Sequence, residues 1–156
     1  MEKFLEYLQE SEKIVRTVDH MVYITFPLIK DKKLLIKIIM EIKKAVASCI
    51  NSILQYEYIF KKINLSKDSR FNFKTFIEKS APEYKISPEE IKQILNLFEI
   101  VERHKQSNFE FMRNEKIIIL SENMRQEYVN LERIKEFLSL SKSILKKTKE
   151  RIIPNF

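Results

Sequence analysis

The sequence predicts a mainly α-helical protein: a bundle of about five or six helices, with one short β-hairpin near residues 116–129. Apolar residues recur every three or four positions along most of the 156-residue chain, which is the period of an amphipathic helix. The chain has 0 glycines, which disfavours a parallel α/β fold with tight turns and excludes glycine-based phosphate or dinucleotide motifs. The length is that of one domain, so we expect residues 1–156 to form a single helical domain.

The first predicted helix covers residues 2–26. Its apolar stripe has a single polar interruption, Ser11, and consists of Phe4, Leu8, Val15, Val18 and Val22. Pro27 is predicted to end this helix, because proline has no amide hydrogen to donate.

The second predicted helix begins after Asp31, a good N-cap residue, and runs to about Ile63. About 32 residues at 1.5 Å each give a length of roughly 48 Å, which is typical of the central helix of a bundle. Its small-residue middle, residues 45–52, allows a neighbouring helix to approach closely. We expect the first helix to pack antiparallel on it, and we expect its remaining apolar surface to favour a homodimer.

Three shorter helices are predicted next. Aromatic residues between 71 and 77 suggest a helix that ends near Ser80, with a loop over residues 81–86. A capping box at residues 87–90, with proline at the first helical position, predicts a helix to about Gln106. A second capping box at residues 107–110 predicts a short helix through Asn114.

The continuous β-branched run Lys116–Leu120 predicts a strand, and the pair Tyr128–Val129 a second strand after a polar turn. The alternative is a helix that continues through Leu120. Asn130 is predicted to cap a final helix that ends near Ile152, before Pro154.

The charge balance favours an anionic partner such as RNA, although solubility alone also accounts for it. There are 29 Lys+Arg and 22 Asp+Glu residues, a formal net charge of +7, and residues 27–67 carry nine basic and three acidic groups. The aromatic residues Tyr56, Tyr58 and Phe60 lie among these lysines, a combination that stacks bases and holds phosphates, although at least one ring is expected in the core. The candidate nucleic-acid-binding lysines are Lys30, Lys32, Lys33, Lys37, Lys43, Lys44, Lys61 and Lys62.

Several chemistries are disfavoured. One cysteine and two histidines cannot supply a structural zinc site, and we expect no metal and no cofactor. Cys49 lies among apolar residues and is predicted to be an unreactive core thiol. A single cysteine excludes an internal disulfide and fits a reducing cytoplasm, and without a run of 18 apolar residues we expect no membrane partner.

Arg16 and His20 lie four residues apart and therefore share a helix face. They form an alternative polar site that binds phosphate or supports acid–base cleavage of RNA, or they belong to a solvated face on which Glu12 and Asp19 pair with them.

The segment Phe111–Lys116 contains Arg113 followed by Asn114. This pair resembles the front of the motif of HEPN domains, which are helical bundles, usually dimeric, and in many cases metal-free ribonucleases. In HEPN domains the motif continues with a histidine after four to six intervening residues. The positions where this chain would carry that histidine, residues 118–120, are aliphatic. An aliphatic side chain cannot exchange a proton, so the resemblance implies a catalytically silent domain in which Arg113 and Asn114 bind phosphate or brace the bundle.

Three functions therefore stand as hypotheses. The first is a non-catalytic module that binds RNA or another polyanion through its lysines. The second is a protein-interaction or assembly module, in which the lysines serve only solubility. The third is a metal-free ribonuclease that brings Arg16, His20, Arg113 and Asn114 together.

Overall fold

The structure, a computed structural model, describes residues 2–106, 109–113, 116–120 and 126–154, and for residues 106–127 only the backbone is considered. It confirms a mainly α-helical bundle with a short β element. The five longer helices are α1 (Lys3–His20), α3 (Lys32–Ile59), α4 (Ser69–Thr75), α6 (Pro88–Gln106) and α7 (Leu131–Ile152). Two short helices complete the set, α2 (Phe26–Ile29) and α5 (Ala81–Glu83).

The helix α3 is the centre of the bundle, and the predicted antiparallel packing of α1 on α3 is confirmed. The Ser11 hydroxyl on α1 donates to the Ala45 carbonyl at 2.8 Å and lies 3.0 Å from the Cys49 sulfur. Farther along the pair, the Ser52 hydroxyl donates to the Phe4 carbonyl at 2.7 Å. The small residues of α3 thus let α1 approach closely enough for side chain to backbone hydrogen bonds in a buried interface.

The first helix does not end at Pro27, so that prediction is wrong. A π-helical turn, Met21–Thr25, follows α1, and helical structure continues through α2. The wider turn directly before the proline accommodates its ring and its missing amide hydrogen. The chain turns only at Lys30, which adopts a left-handed conformation with φ 54°.

Helix starts were predicted well. The Asp31 side chain accepts from the Lys33 amide at 2.9 Å, and the Asn130 side chain accepts from the Arg133 amide at 2.9 Å. The predicted capping box of α6 is present: the Glu90 amide donates to the Ser87 hydroxyl at 3.1 Å, and the Ser87 amide donates to the Glu90 carboxylate at 3.1 Å.

Helix ends were predicted unevenly. α6 ends at Gln106 and α7 ends at Ile152, as predicted. α3 ends at Ile59, four residues before the predicted end. The third helix continues past Ser80 into α5, because a second π-helical turn, Phe76–Ser80, admits Pro82 into a helical turn. The connection to α6 is correspondingly shorter than the predicted loop over residues 81–86.

The predicted helix over residues 107–114 is wrong, because the described part of this segment is the strand β1, Phe109–Arg113. The predicted hairpin is confirmed, and the alternative of a helix through Leu120 is wrong. β2 (Lys116–Leu120) and β3 (Gln126–Val129) pair antiparallel, and β1 pairs antiparallel with the other edge of β2. The β-branched strand β2 pairs with a strand on each of its two sides. This pairing outweighs the capping signals at residues 107–110, which favour a helix.

The core collects the apolar faces of α1, α3, α6 and α7. Its largest fully buried side chains come from these helices and from the turn after α4, and they include Leu35, Ile38, Ile42, Ile53, Phe76, Ile94, Leu97 and Ile144. The sheet is attached at Val129, which is buried, and through Arg133, whose guanidinium donates to the Tyr128 carbonyl at 2.7 Å and to the Asn96 side chain.

Glu90 joins α6 to α7 in addition to its role in the capping box. Its carboxylate accepts from the Ser143 hydroxyl at 2.7 Å and from the Lys147 ammonium. Burial acts to raise the pKa of the Glu90 carboxyl, but the hydrogen bonds from Lys147, Ser143 and the Ser87 amide outweigh burial, so that the pKa lies below its ordinary value of 4.5.

We therefore expect Glu90→Gln to lower the free energy of unfolding at pH 7 by about 2 kcal/mol, because charge-assisted hydrogen bonds are lost. A carboxyl with a depressed pKa in the folded state stabilises the fold above the pKa of the unfolded state and loses that effect as the pH falls through the folded value. The difference between wild type and variant should therefore shrink below about pH 4.5, measured by urea unfolding at several pH values. Glu89→Gln is the control, since Glu89 lies exposed in the same helical turn; equal losses in both variants would contradict the role of Glu90.

Candidate functional site

The eight candidate lysines do not form one continuous face. Lys30, Lys32, Lys33 and Lys37 lie at the start of α3 or just before it, whereas Lys61 and Lys62 follow its other end. The 28 residues of α3 span about 42 Å at 1.5 Å per residue, so the two groups cannot contact one compact ligand together.

The middle pair has different surroundings. Lys43 is half-buried, with its ammonium 5.6 Å from the centroid of the Phe98 ring. Lys44 is exposed, and its spacing from Lys33 and Lys37 places these three lysines along one side of α3. The predicted lysine set therefore divides into a group that begins at Lys30 and a separate group at the far end of the helix.

The residues of the HEPN-like motif are described only in part. Arg113 is the last residue of β1, and its backbone is paired with Lys116. Asn114 lies outside the described residues.

Arg16 and His20 are both exposed on α1. The His20 Nδ1 atom lies 3.5 Å from the Thr25 hydroxyl. The acidic neighbours that were expected to pair with them instead contact α7: Glu12 accepts from Lys149 at 3.0 Å, and Asp19 forms an ion pair with Lys142. These acids tie α1 to α7.

Cys49 is a core thiol, as predicted. Burial raises its pKa to about 11, and the hydrogen bond with Ser11 opposes that rise only in part, so the reactive thiolate is disfavoured at neutral pH. Among the described residues there is no group of three or more histidine, cysteine, aspartate or glutamate side chains that could hold a metal ion. None of the described helices is both long and apolar enough to cross a bilayer.

A cleft of about 440 Å³ lies where the C-terminal ends of α3, α5 and α7 meet. Hereafter it is called the basic cleft. The cleft is lined by two aromatic rings, four cationic side chains and two acids. The rings are Tyr56 and Tyr84, and the acids are Glu83 and Glu150. The cationic side chains are Lys62, Lys85, Lys147 and Arg151. Cations at helix C-termini also complement the helix dipole, which explains part of this concentration of charge.

Two lysines occupy backbone positions that favour glycine: Lys85, which lines the basic cleft, and Lys61, which directly precedes the lining residue Lys62. Lys61 has φ 60° and Lys85 has φ 59°. Each follows a helix as the left-handed residue of a Schellman motif. After α3, the Lys62 amide donates to the Glu57 carbonyl at 2.9 Å, and after α5, the Ile86 amide donates to the Ala81 carbonyl at 2.9 Å. A left-handed residue with a Cβ atom costs about 1–2 kcal/mol, so lysine stands here in spite of the local backbone preference.

Glu57 is buried beside the basic cleft, with 1 % of its surface exposed. Neither of its carboxylate oxygens has a hydrogen-bond partner among the described residues. The Lys62 ammonium and the Arg151 guanidinium lie 4.0 Å and 3.9 Å from these oxygens. A buried carboxylate requires opposite charge, so Glu57 holds these two cations at the inner wall of the cleft.

Tyr84 and Arg151 complete the inner wall. Burial and the neighbouring charge of Glu57 raise the pKa of the Tyr84 hydroxyl, so this group stays neutral. The Arg151 guanidinium lies 5.3 Å from the centroid of the Tyr84 ring and 3.1 Å from a carboxylate oxygen of Glu83. The ring and the two acids together fix the guanidinium.

Sequence reasoning identified Lys62 but missed Glu57, Tyr84, Lys85 and Lys147 as parts of one site. The spacing of Ile50, Ile53 and Leu54 continues to Glu57, so a charged residue in the apolar stripe of α3 was a usable signal. Tyr84 and Lys85 carried no such signal, because only the packing of α5 against the ends of α3 and α7 brings them to the cleft.

No family model, curated protein or solved structure was found to match this chain.

The left-handed lysines give a stability prediction. Lys85→Gly should raise the free energy of unfolding by about 0.5–1 kcal/mol, because glycine adopts positive φ without a steric penalty. Lys85→Ala keeps the Cβ atom and should give no such gain, so it is the matched control in thermal unfolding. A Lys85→Gly protein that is less stable than wild type would mean that the lysine side chain itself stabilises the fold.

Proposed function

We propose that this protein is a non-catalytic module that binds the phosphate backbone of RNA at the basic cleft. The single observation that carries the proposal is the left-handed conformation of Lys85, which lines the cleft, and of Lys61, which directly precedes the lining residue Lys62, at positions where glycine would be more favourable. Residues that are held against a local backbone preference are concentrated at functional sites.

The charges of the cleft support an anionic ligand. Arg151 is paired with Glu83 and approaches Glu57, and Lys147 is paired with Glu90. Lys61 and Lys85 are exposed and form no ion pair with any residue that the structure describes. These two ammonium groups are therefore available to phosphate, whereas Lys62, Lys147 and Arg151 face the acids with which they are paired.

Aromatic rings beside the cleft favour a single-stranded nucleic acid over a simple polyanion. Tyr56 packs edge-on against Phe4 at 5.1 Å between ring centroids, and Phe60 lies 4.7 Å from Tyr56. Phe60 is 56 % exposed, whereas Tyr58 is two residues from Tyr56 and therefore on the opposite side of α3 from the cleft. Exposed rings beside lysines stack unpaired bases, and such stacking contributes about 1–3 kcal/mol per base.

The two other hypotheses are outcomes of the same experiments. An assembly module would form a stable complex with a protein or with a second copy and would show no affinity for RNA. A metal-free ribonuclease that uses Arg16, His20, Arg113 and Asn114 would cleave the RNA probe with turnover, and cleavage would be abolished by His20→Ala.

The test is a fluorescence anisotropy titration of a labelled single-stranded RNA, at low and at moderate salt. Wild type should bind at low salt and lose affinity steeply as salt rises, because phosphate contacts release counterions. The double variant Lys61→Gly and Lys85→Gly removes both charges. It also removes the steric penalty of a Cβ atom at two left-handed backbone positions. It should bind RNA at least about tenfold more weakly, while its thermal stability is equal to that of wild type or higher.

The control is Lys44→Ala, which removes one exposed lysine in the middle of α3, outside the basic cleft. Its affinity for RNA should stay within a factor of about two to three of the wild-type value. Absence of RNA binding at low salt would overturn the proposal, and so would unchanged affinity in the double glycine variant. Cleavage of the probe would replace it with the ribonuclease hypothesis.

A further inference from the structure

A second candidate binding surface lies at the start of α3, at the end opposite to the basic cleft. Four large apolar side chains are exposed there, on the π-helical turn and on α2: Tyr23, Ile24, Leu28 and Ile29. They are called the tip patch. Leu28 is 82 % exposed and Ile29 is 61 % exposed, the two highest values among the large apolar side chains that the structure describes. Helix α2 has no buried residue at all.

The tip patch is surrounded by lysines. Lys30, Lys32 and Lys33 follow it directly in the sequence, and Lys37 lies one turn farther along α3. From α7, the Lys135 and Lys142 ammonium groups lie 5.4 Å and 5.9 Å from the centroid of the Tyr23 ring.

Two acids near the tip patch have partners of their own. Asp31 accepts the Lys33 amide as the N-cap of α3, and Asp19 is paired with Lys142. The surface therefore combines exposed aliphatic side chains with an excess of positive charge.

We infer that the tip patch docks on an anionic lipid surface. Leu28 and Ile29 would enter the boundary between headgroups and acyl chains, and the surrounding lysines would contact anionic headgroups. Apolar insertion and lysine–headgroup attraction are the two contributions that give a peripheral protein stable membrane contact. This inference departs from the expectation of no membrane partner, because that expectation rested only on the absence of a membrane-spanning segment, which peripheral contact does not need.

The charges argue against a second copy of the chain as the occupant. A symmetric contact through the tip patch would bring two sets of lysines together, and like charges at an interface oppose association. An RNA ligand would contact the lysines but would leave the two aliphatic side chains in water. An anionic lipid surface would cover the aliphatic side chains and would also pair with the surrounding lysines.

The tip is preorganised for this contact. The π-helical turn lets the helix continue past Pro27. Lys30, with φ 54°, then reverses the chain directly into the capped start of α3. Leu28 and Ile29 are thus held at the turn between two helices, so little conformational entropy is lost when they insert.

The test is co-sedimentation of the full chain with phosphatidylcholine vesicles that contain or lack phosphatidylglycerol. Wild type should bind the anionic vesicles, should bind pure phosphatidylcholine at least about tenfold more weakly, and should be released by salt. Leu28→Ser with Ile29→Ser should lower binding at least about tenfold. These side chains are exposed, so thermal unfolding of the variant should match that of wild type. Leu95→Ser, which alters an exposed leucine on α6, is the matched control and should bind as wild type does.

Several outcomes would overturn the inference. One is no binding of wild type to anionic vesicles, and another is equal loss of binding in the Leu95→Ser control. A third is a tip variant that changes from dimer to monomer in light scattering, or that loses RNA affinity, while vesicle binding is unaltered. The cleft variant Lys61→Gly and Lys85→Gly should keep its vesicle binding, so failure of this inference and failure of the RNA proposal are distinguishable.

Discussion

The close packing of α1 against the small-residue face of α3 is the interaction on which the rest of the structure depends. The Ser11 hydroxyl reaches the Ala45 carbonyl, and the Ser52 hydroxyl reaches the Phe4 carbonyl. Both bonds require a short distance between the helices, and both leave polar groups satisfied in a buried interface. With this side of α3 covered, its other faces pack against α6 and α7, which produces one continuous core.

The length of α3 also keeps its two ends far apart. One end leads into the basic cleft, where the buried Glu57 lies near Lys62 and Arg151, and where Arg151 lies over the Tyr84 ring. The other end follows the tip patch, where Leu28 and Ile29 are exposed. The positive charge of the chain is thus divided between two sites of different character, one with aromatic rings and one with aliphatic side chains.

Signals local to the sequence predicted the helix starts and the core face of each helix. Asp31, Ser87 and Asn130 cap the helices that they were expected to cap, because an N-cap hydrogen bond involves only neighbouring residues. Two other local signals were overridden. Pro27 does not end its helix, because a π-helical turn accommodates it. The capping residues at 107–110 do not start a helix, because residues 109–113 pair with β2 as a strand.

The candidate site could be predicted only in part, for a similar reason. The density of lysines between residues 27 and 67 is visible in the sequence, but the division of those lysines by the length of α3 is a property of the fold. The contribution of α5 and α7 to the basic cleft joins residues that are far apart in the chain, such as Glu57 and Arg151. The left-handed backbone at Lys61 and Lys85 has no sequence signal here, since the usual marker, glycine, is absent from the chain.

The most direct test of the account is NMR mapping of backbone amide shifts while a short single-stranded RNA is added to the full chain. We expect the largest changes in and beside the basic cleft, at Lys61, Lys62, Lys85 and Arg151, and no change at Leu28 and Ile29 at the other end of α3. Changes centred on residues 28–37, or changes spread evenly along α3, would contradict the separation of the two sites.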